Sequence, residues 1–260
     1  MGNNKPQDHK MIDLHTHLLP DWDDGAKGWE ETGSMAMTAE EDGITKICLT
    51  PHLFRLTKHG NDLGLLEQRM AEVGRWAERF QVRFFRGAEV YIDDQIVENI
   101  KENNLTVNNS SYVFVEFPAD SVMEGVRDLF YRIMLEGYIP IISHPERNII
   151  FDRKPELLFD LVSMGALAQV TAKSILGEFG SEARQSAEVF LKHNLVHLIA
   201  SDAHDSENRP PLLSRAVEKT MKIVGEEQAL AMVIEVPQAI LDNQVIPEYG
   251  DPVNPQKKKW

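Results

Sequence analysis

Short apolar, β-branched runs alternate along this chain with longer segments of helical periodicity. The pattern predicts seven strands, at residues 11–15, 44–50, 82–89, 112–117, 139–143, 166–172 and 197–201. Several of the helical segments between them end on Gly or Asn, which tolerate the left-handed backbone of a helix end. Such alternation is typical of a parallel sheet, either open or closed, and seven repeats favour a closed α/β barrel. The pattern turns helical after Pro211, and we expect that part to pack on the outside.

The length of the chain bounds the number of domains. Its 260 residues, 42% of them hydrophobic, can form the core of one large domain, and two small domains are the less favoured alternative. We expect a flexible N-terminal extension over 1–10, a single barrel domain over 11–247 and a flexible C-terminal tail over 248–260. No apolar run approaches the roughly 18 residues of a membrane span, so we expect no membrane insertion.

The charge and the cysteine count narrow the class of partner and the compartment. Lys and Arg number 27 against 41 Asp and Glu, for a formal net charge of -14, a field that repels nucleic-acid backbone. We therefore expect no nucleic-acid partner. The single cysteine, Cys48, cannot form an intrachain disulfide, and the polar first ten residues lack the apolar stretch of a signal peptide. Both observations favour a cytoplasmic location.

Polar side chains follow six of the seven predicted strands, at the point where each strand ends. In chain order they are His15 and His17, His52, Glu89, Glu116, His144, and Asp202 with His204, whereas the sixth strand offers none. The strand ends of a closed parallel barrel all point to one rim. Residues spread over nearly the whole barrel would therefore meet in one bowl-shaped site.

Each of these side chains also has a simpler explanation. A lone His at a strand end is more often hydrogen-bonded packing than a ligand, but the two imidazoles of His15 and His17 project from the same face of a strand. Asp23-Asp24-Gly25 is a turn signal, although a turn can also present a ligand. Glu116 stands inside the apolar run VFVEFP, where a carboxylate needs a cation or dense hydrogen bonding. Taken together, the set favours a metal site.

The candidate ligands suggest more than one ion. Five imidazoles and four carboxylates are too many for one ion, and they suit two or three divalent ions of the Zn, Mn or Fe kind. The set is His15, His17, Asp24, His52, Glu89, Glu116, His144, Asp202 and His204. Three such ions and four carboxylates leave a charge of roughly +2, which favours an anion such as a phosphate monoester. A bridging hydroxide on the ions would be the nucleophile. Arg147 and Arg209 follow ligand segments closely and could grip phosphate oxygens, although isolated arginines are more often surface residues.

Six sequence blocks carry a resemblance to a known superfamily. They are IDLHTHLLPDWDDGA, TPHLFR, GAEVYIDD, VFVEFP, IISHPERN and IASDAHDSENRPP, which run in this order from Met11 to about Pro211. Together they resemble the PHP (polymerase and histidinol phosphatase) superfamily and, within it, the manganese-dependent protein-tyrosine phosphatases of bacterial capsule and exopolysaccharide synthesis. The resemblance implies a distorted, TIM-like (β/α)7 barrel of the PHP type with three metals at the strand ends.

The resemblance also implies a role for each candidate residue. One ion would be held by His15, His17, Glu89 and Asp202, a second by Glu89, Glu116 and His144, and a third by Asp24, His52 and His204. Arg147 and Arg209 match the phosphate-binding arginines, and His52 or a metal-bound water could be the general acid. The implied metal is Mn, with Fe, Zn or Co possible. The implied substrate is phosphotyrosine on the C-terminal tail of a bacterial tyrosine kinase that controls polysaccharide export. Thr16 and Trp22 depart from the common pattern, and Trp22 could either line the mouth of the site or pack on its neighbours.

Three rival interpretations stay open at this point. A cysteine-dependent tyrosine phosphatase needs five residues between its Cys and its Arg, whereas six separate Cys48 from Arg55. A phosphatase for a small metabolite such as histidinol phosphate could share the fold and all the metal ligands. A protein that binds phosphotyrosine through its metals without turnover belongs to another class, but such a protein usually loses a ligand.

Overall fold

Every pair of neighbouring strands in the described residues is parallel, as the alternation of strands and helices predicts. The computed structural model describes residues 10–55, 59, 61–247 and 250–255. The strands are β1 (Met11–Thr16), β2 (Ile44–Leu49), β3 (His52–Leu53), β4 (Arg83–Arg86), β5 (Glu89–Tyr91), β6 (Tyr112–Glu116), β7 (Ile139–Ile142), β8 (Leu167–Thr171) and β9 (Leu198–Ala200). One sheet has the order β1-β2-β4, and the other has the order β3-β5-β6-β7-β8-β9.

The two sheets curl into one distorted barrel, because the first strand also joins the segment that follows the last. Thr16 forms a parallel bridge with Ala203. The backbone N–H of His17 donates to the Ala203 carbonyl at 2.8 Å, and that of Asp202 donates to the His15 carbonyl at 3.0 Å. The expected α/β barrel is thereby confirmed.

One of the predicted strands is divided in two, and a short additional strand, β3, follows β2. The strand predicted over 82–89 is β4 followed by β5, with Gly87 at the break. A Cβ on Gly87 would lie 2.7 Å from the Cys48 Sγ, so only glycine lets the chain pass this point closely. Beyond the break the Glu89 N–H donates to the Pro51 carbonyl at 3.0 Å, and β5 pairs with β3 instead of β2. The division brings His52 and Glu89 opposite each other.

Helices cover the outside of the barrel. They are α1 (Trp29–Glu41), α2 (Leu63–Trp76), α3 (Ile96–Asn103), α4 (Val126–Leu135), α5 (Ile149–Arg153), α6 (Pro155–Ser163), α7 (Ala172–Leu176), α8 (Ser181–Lys192), α9 (Ser214–Val224), α10 (Glu226–Ala231) and α11 (Glu235–Leu241). Short 3-10 turns add Ala77–Arg79, Val107–Asn109 and Pro145–Arg147. None of the helices in the described residues is long and apolar enough to cross a membrane.

The segment between α10 and α11 closes the end of the barrel where the strands begin. The Ile12 N–H of β1 donates to the Val233 carbonyl at 2.8 Å, and the Ile199 N–H of β9 donates to the Met232 carbonyl at 3.1 Å. Val236 and Ile240 of α11 join one apolar cluster with Ile12 and with other buried strand residues. The helical part expected after Pro211 is thus present, and it covers the end of the barrel where the strands begin.

The ends of the chain bear on the expected domain limits. Residues 1–9 of the expected N-terminal extension, and residues 248–249 and 256–260 of the expected tail, lie outside the described residues. Within the tail, the Val253 N–H donates to the His193 carbonyl at 2.8 Å, and the Asn194 amide donates to the Asp251 carbonyl at 3.2 Å. Part of the segment after residue 247 therefore packs against the end of α8. The limits 1–10, 11–247 and 248–260 stay a prediction.

We predict that His197 makes stability depend on pH. Its Nδ1 accepts the Ala168 N–H at 3.1 Å, and burial lowers its pKa to about 4, whereas an unfolded chain has the ordinary value near 6.5. As the pH falls from about 6.5 towards 4, the unfolded chain binds a proton that the folded chain does not. The folded state should therefore lose up to about 3 kcal/mol over this window.

The measurement is urea unfolding of the wild type and of His197→Asn between pH 7 and pH 4.5. Asn retains an acceptor near the Ala168 N–H but does not titrate. The stability difference between the two proteins should shrink as the pH falls. A difference that is constant over the whole range would show that His197 is not buried as a neutral group.

Candidate metal centre

The nine side chains predicted as ligands gather at the end of the barrel where the strands finish. Each of them has a nitrogen or carboxylate oxygen within 3.7 Å of another member of the set. His15 lies on β1, His52 on β3, Glu89 on β5 and Glu116 on β6, whereas the other five lie on the segments that follow strands. The structure therefore brings the whole predicted set into one cluster.

His15 and His17 point the same ring nitrogen towards one position. Their Nε2 atoms are 3.3 Å apart, and each lies 3.3 to 3.7 Å from Glu89 Oε2 and Asp202 Oδ1. Their Nδ1 atoms face the Gln169 Oε1 at 2.9 Å and the Asp23 Oδ2 at 2.8 Å. Because these oxygens accept hydrogen bonds, the Nδ1 atoms carry hydrogen and the Nε2 lone pairs are left to face the carboxylates. Lone pairs that converge in this way need a cation among them.

The same negative environment appears in the histidine pKa values. Burial disfavours protonation of His17, but the Asp23 and Asp202 carboxylates together outweigh burial and raise the pKa of His17 to about 9. Burial likewise opposes protonation of His15, whereas Glu89 and Asp202 raise its pKa above the ordinary value. A proton on these rings and a divalent cation between them would both neutralise the neighbouring carboxylates, so proton and cation compete for the site.

Glu89 lies at the centre of the cluster. Its Oε2 is 3.3 Å from His15 Nε2 and 3.0 Å from His52 Nδ1, and its Oε1 is 3.2 Å from His144 Nε2. The side chain is fully buried, yet neither oxygen has a hydrogen-bond partner in the described structure. Burial would raise its pKa, but His15 and His52 hold the pKa well below the ordinary range. Glu89 is thus an ionised carboxylate with both oxygens free to accept cations.

Asp24, His52 and His204 form a second part of the cluster. The Asp24 Oδ1 lies 3.4 Å from His52 Nε2 and 3.5 Å from His204 Nε2. The His204 Nδ1 hydrogen is donated to the Asp202 carbonyl at 2.9 Å, which turns its Nε2 towards Asp24. The neighbouring His204 and His52 rings lower the pKa of Asp24 although 61% of its side chain is exposed. The turn reading of Asp24 alone is therefore incomplete, because the turn presents this carboxylate to two imidazoles.

His52 is shared between two parts of the cluster. Its Nδ1 lies 3.3 Å from Glu116 Oε2 as well as 3.0 Å from Glu89 Oε2. The structure thus groups His52 with Glu89 and Glu116, whereas the resemblance places His144 with those two carboxylates. His144 reaches only Glu89. The distribution of ligands among individual ions therefore stays a prediction.

The cluster fits divalent metal ions. Three groups of side chains have ligand atoms within 4.8 Å of one another, namely His17 with Asp24, His52 and His204, His15 with His17 and Asp202, and His52 with Glu89 and Glu116. Both Glu89 oxygens, Glu116 Oε2 and His52 Nδ1 are buried without a hydrogen-bond partner in the described residues. Buried charged atoms of this kind are tolerated when they are paired or bind metals. The all-N/O donor set suits Mn, Fe, Zn or Co.

Arg147 and Arg209 stand beside the cluster at a cavity of about 640 Å³. Both guanidinium groups donate to the Asp202 Oδ2, Arg209 from its Nη2 at 2.7 Å, while the Asp202 Oδ1 faces the histidines. A third arginine, Arg55, donates to Glu116 Oε1 at 2.8 Å. Phe54, Tyr91, Phe117 and Pro118 contribute apolar surface to the same cavity. The cavity thus combines cations and carboxylates with a wall that can receive a ring.

Two candidate ligands adopt a backbone conformation that residues other than glycine rarely take. His144 has φ 32° and Asp202 has φ 53°, both in the left-handed region. Such residues cost on the order of 1–3 kcal/mol and persist where the surroundings hold them. At Asp202 that hold includes the hydrogen bond from its own N–H to the His15 carbonyl. In this conformation His144 contacts Glu89, and Asp202 contacts His17.

Several supporting residues were not predicted from the sequence. Asp23, read only as part of a turn, accepts from the His17 ring and from the His52 N–H at 2.9 Å. Gln169 lies on the strand that seemed to offer nothing, and it accepts from the His15 ring. The Asn148 amide donates to the carbonyls of Pro118 and Ser121. These hydrogen bonds join the segment after β6, which lines the cavity at Pro118, to the segment after Arg147. Asp-Asp-Gly after H-x-H was the one available signal, since a His ligand commonly needs a carboxylate behind it.

Two other expectations are settled by burial. Trp22 is 1% exposed and donates its ring N–H to the His52 carbonyl at 3.1 Å, so it supports β3 from inside and does not line the mouth. Cys48 is fully buried, its Sγ faces the Arg86 carbonyl at 3.3 Å, and burial raises the pKa of its thiol. A buried thiol held in its protonated form is not a nucleophile. The cysteine-dependent mechanism is therefore excluded.

The fold and the cluster define a class of protein, a parallel α/β barrel that collects nitrogen and oxygen ligands for metal at its strand ends. A family model described as capsular polysaccharide synthesis, CpsB/CapC, matches residues 11–242. The chain belongs to this family, and the resemblance found in the sequence blocks is confirmed.

Individual relatives agree with the family assignment. The chain is 35% identical to the putative tyrosine-protein phosphatase CapC of Staphylococcus aureus, over 96% of this chain and 98% of that protein. It is 34% identical to the tyrosine-protein phosphatase YwqE of Bacillus subtilis, again over 96% and 98% of the two chains. A crystal structure described for the metal-dependent tyrosine phosphatases YwqE of B. subtilis and CpsB of Streptococcus pneumoniae superposes with a TM-score of 0.84 at 32% identity, covering 94% of this chain and 99% of that chain.

A more distant structure shares the fold alone. The histidinol phosphate phosphatase of Lactococcus lactis superposes with a TM-score of 0.53 at 15% identity, covering 82% of this chain and 93% of that chain. The barrel is thus common to enzymes with different substrates, and the substrate has to be argued from the site.

We predict that Asp23 sets the metal affinity of the cluster without binding metal itself. Replacing it in Asp23→Asn removes the charge that holds the His17 Nδ1 hydrogen, and metal affinity should fall about 10- to 100-fold. The measurement is a titration of metal-free protein with Mn²⁺ in competition with a chelator. Asp120→Asn, which changes an exposed carboxylate, is the control. If Asp23→Asn bound metal as tightly as the wild type, Asp23 would serve only the turn.

Proposed function

We propose that this protein is a metal-dependent protein-tyrosine phosphatase of capsular or exopolysaccharide synthesis. The observation that carries the proposal is the cluster around Glu89, in which buried ionised carboxylates and histidine lone pairs converge without hydrogen-bond partners beside two arginines. Such a site fits divalent cations and a phosphate together. The relatives CapC, YwqE and CpsB are named tyrosine-protein phosphatases, which supports phosphotyrosine as the substrate.

The proposed metal is Mn, with Fe, Zn and Co as the alternatives that the same ligands accept. We assign one ion to His15, His17, Glu89 and Asp202, a second to Glu89, Glu116 and His144, and a third to Asp24, His52 and His204. The contacts of the first and third sets support their assignment, whereas the second set competes with His52 for Glu116. Ions bound there would activate a water for in-line attack on phosphorus and offset charge on the phosphate oxygens.

Arg147 and Arg209 are proposed to bind the phosphate group. Both hold the Asp202 Oδ2, so when Asp202 is engaged by a metal ion the two guanidinium groups can turn towards a dianion in the cavity. Planar guanidinium groups grip two phosphate oxygens at once, which orients the ester for in-line displacement. The leaving phenol would rest against the apolar wall of Phe54, Tyr91 and Pro118.

The role of His52 is proposed to be that of a ligand. Both of its ring nitrogens face carboxylates, Nδ1 towards Glu89 and Glu116 and Nε2 towards Asp24. A ring held in this way has no free hydrogen for a leaving group. A phenol with a pKa of about 10 needs less proton donation than an alkyl alcohol, which favours phosphotyrosine over an alkyl phosphate such as histidinol phosphate.

The proposed partner is a phosphorylated tyrosine kinase, with its C-terminal tail as the substrate segment. The family description names capsular polysaccharide synthesis, which supports a kinase that controls this synthesis as the partner. We propose the cytoplasm as the compartment, because ATP-dependent protein phosphorylation takes place there.

We predict that the metal-loaded protein releases phosphate from a phosphotyrosyl peptide with a kcat/KM at least about tenfold above that for histidinol phosphate. The apolar wall and the low proton demand of a phenol are the physical reasons. Activity should disappear with a chelator and return with Mn²⁺. A preference for histidinol phosphate would make this a metabolite phosphatase of the same fold. Stoichiometric retention of the peptide without phosphate release would make it a phosphotyrosine-binding regulator.

We also predict that Glu89→Gln lowers kcat at least about 10²-fold, because the neutral amide cannot bridge two cations. Metal content, measured by elemental analysis, should fall at the same time. Glu124→Gln alters an exposed carboxylate and should behave as the wild type. Wild-type turnover by Glu89→Gln would disprove the bridging role.

A further inference from the structure

One aromatic ring faces three cations beside the cavity. The Cζ atoms of Arg147 and Arg209 lie 5.0 and 5.5 Å from the ring centroid of Phe179, and the Lys173 Nζ lies 5.9 Å from it. The only other cation over an aromatic ring in the described residues is Arg83 on Phe85. Arg147 follows β7 and Arg209 follows β9, so the ring joins arginines from two separate segments.

The turn that carries Phe179 is held in place. It lies between α7 and α8 and is bounded by Gly177 with φ 86° and Gly180 with φ 98°, values that favour glycine at both positions. The Gly180 N–H donates to the Gly177 carbonyl at 3.2 Å. Glu178 forms an ion pair with Lys173 at 2.6 Å, and its N–H donates to the Lys173 carbonyl at 2.9 Å. Phe179 is therefore presented by a short, fixed turn.

The two arginines need a partner that a phosphate does not displace. Their shared partner Asp202 belongs to the proposed metal ligands, and a bound dianion would attract the guanidinium groups away from that carboxylate. An aromatic face attracts cations through its quadrupole but takes none of their N–H groups. The Arg209 Nε is buried and has no hydrogen-bond partner in the described structure, so this arginine retains an unused donor.

We propose that Phe179 is a positioning residue for phosphate binding, whose ring holds Arg147 and Arg209 beside the cavity without occupying any of their N–H groups. The inference rests on the proposed function, in which these arginines bind the phosphate group. Phe179 is not among the residues that line the cavity. It keeps two like-charged groups close together and lowers the rearrangement that each has to undergo when the substrate binds.

The test compares Phe179→Leu, which retains apolar bulk but loses the quadrupole, with Phe179→Tyr, which retains the aromatic face. The affinity of Mn²⁺-loaded protein for inorganic phosphate, measured by calorimetry, should fall about three- to tenfold in Phe179→Leu. KM for a phosphotyrosyl peptide should rise by the same factor, with a smaller change in kcat. Phe179→Tyr should have the phosphate affinity and the KM of the wild type. Metal content should be unchanged in all variants.

A matched control and a coupling experiment complete the test. Phe159→Leu makes the same substitution at a half-buried phenylalanine of α6 and should leave phosphate affinity unchanged. In an Arg147→Ala background, Phe179→Leu should weaken phosphate binding less than it does in the wild type, because part of what the ring holds is already gone.

The outcomes separate this inference from the proposed function. If Phe179→Leu bound phosphate as the wild type does, or if Phe179→Tyr failed to restore a lost affinity, the positioning role would be wrong. Loss of metal or of thermal stability in Phe179→Leu would mean that the ring is merely structural. If the wild type bound phosphate but released none from phosphotyrosyl peptide, the proposed function would fail, and the calorimetry would still decide the role of Phe179.

Discussion

The site depends on one electrostatic constraint, the presence of a fully buried, ionised carboxylate whose oxygens accept no hydrogen bonds. Desolvation of Glu89 would be unfavourable by several kcal/mol unless positive charge surrounded it. Histidine rings from three segments surround it in the structure, and they are good ligands for transition metals. The same contacts that make the cluster tolerable in the fold therefore make it suitable for cations.

The sequence predicted the convergence of the ligands because a simple rule governs it. Strand ends of a parallel barrel meet at one rim, so His15, Glu89, Glu116 and Asp202 could be placed together from their positions after apolar runs. The alternation of strands and helices likewise predicted the barrel. The division of the run 82–89 was missed, because it depends on a close approach between Gly87 and Cys48 that a sequence pattern does not contain.

The residues behind the ligands could not be predicted in the same way. Asp23, Gln169 and Phe179 act through contacts with residues that are distant in the sequence or on other elements, and none stands at the end of a strand. The pairing of His52 with Glu116 follows from the exact direction of one ring, which strand positions do not fix.

The bonds that close the barrel have a consequence for synthesis of the chain. The first strand is joined to the segment after the last one through Thr16 and Ala203. The first and the last strand also donate backbone hydrogen bonds to the carbonyls of Val233 and Met232. A ribosome that has released only the first half of the protein has already exposed six of the nine ligand side chains, and His144, Asp202 and His204 are still to come. The nascent chain therefore cannot assemble the complete set of ligands before His204 has left the ribosome, so the site forms only after most of the chain has been synthesised.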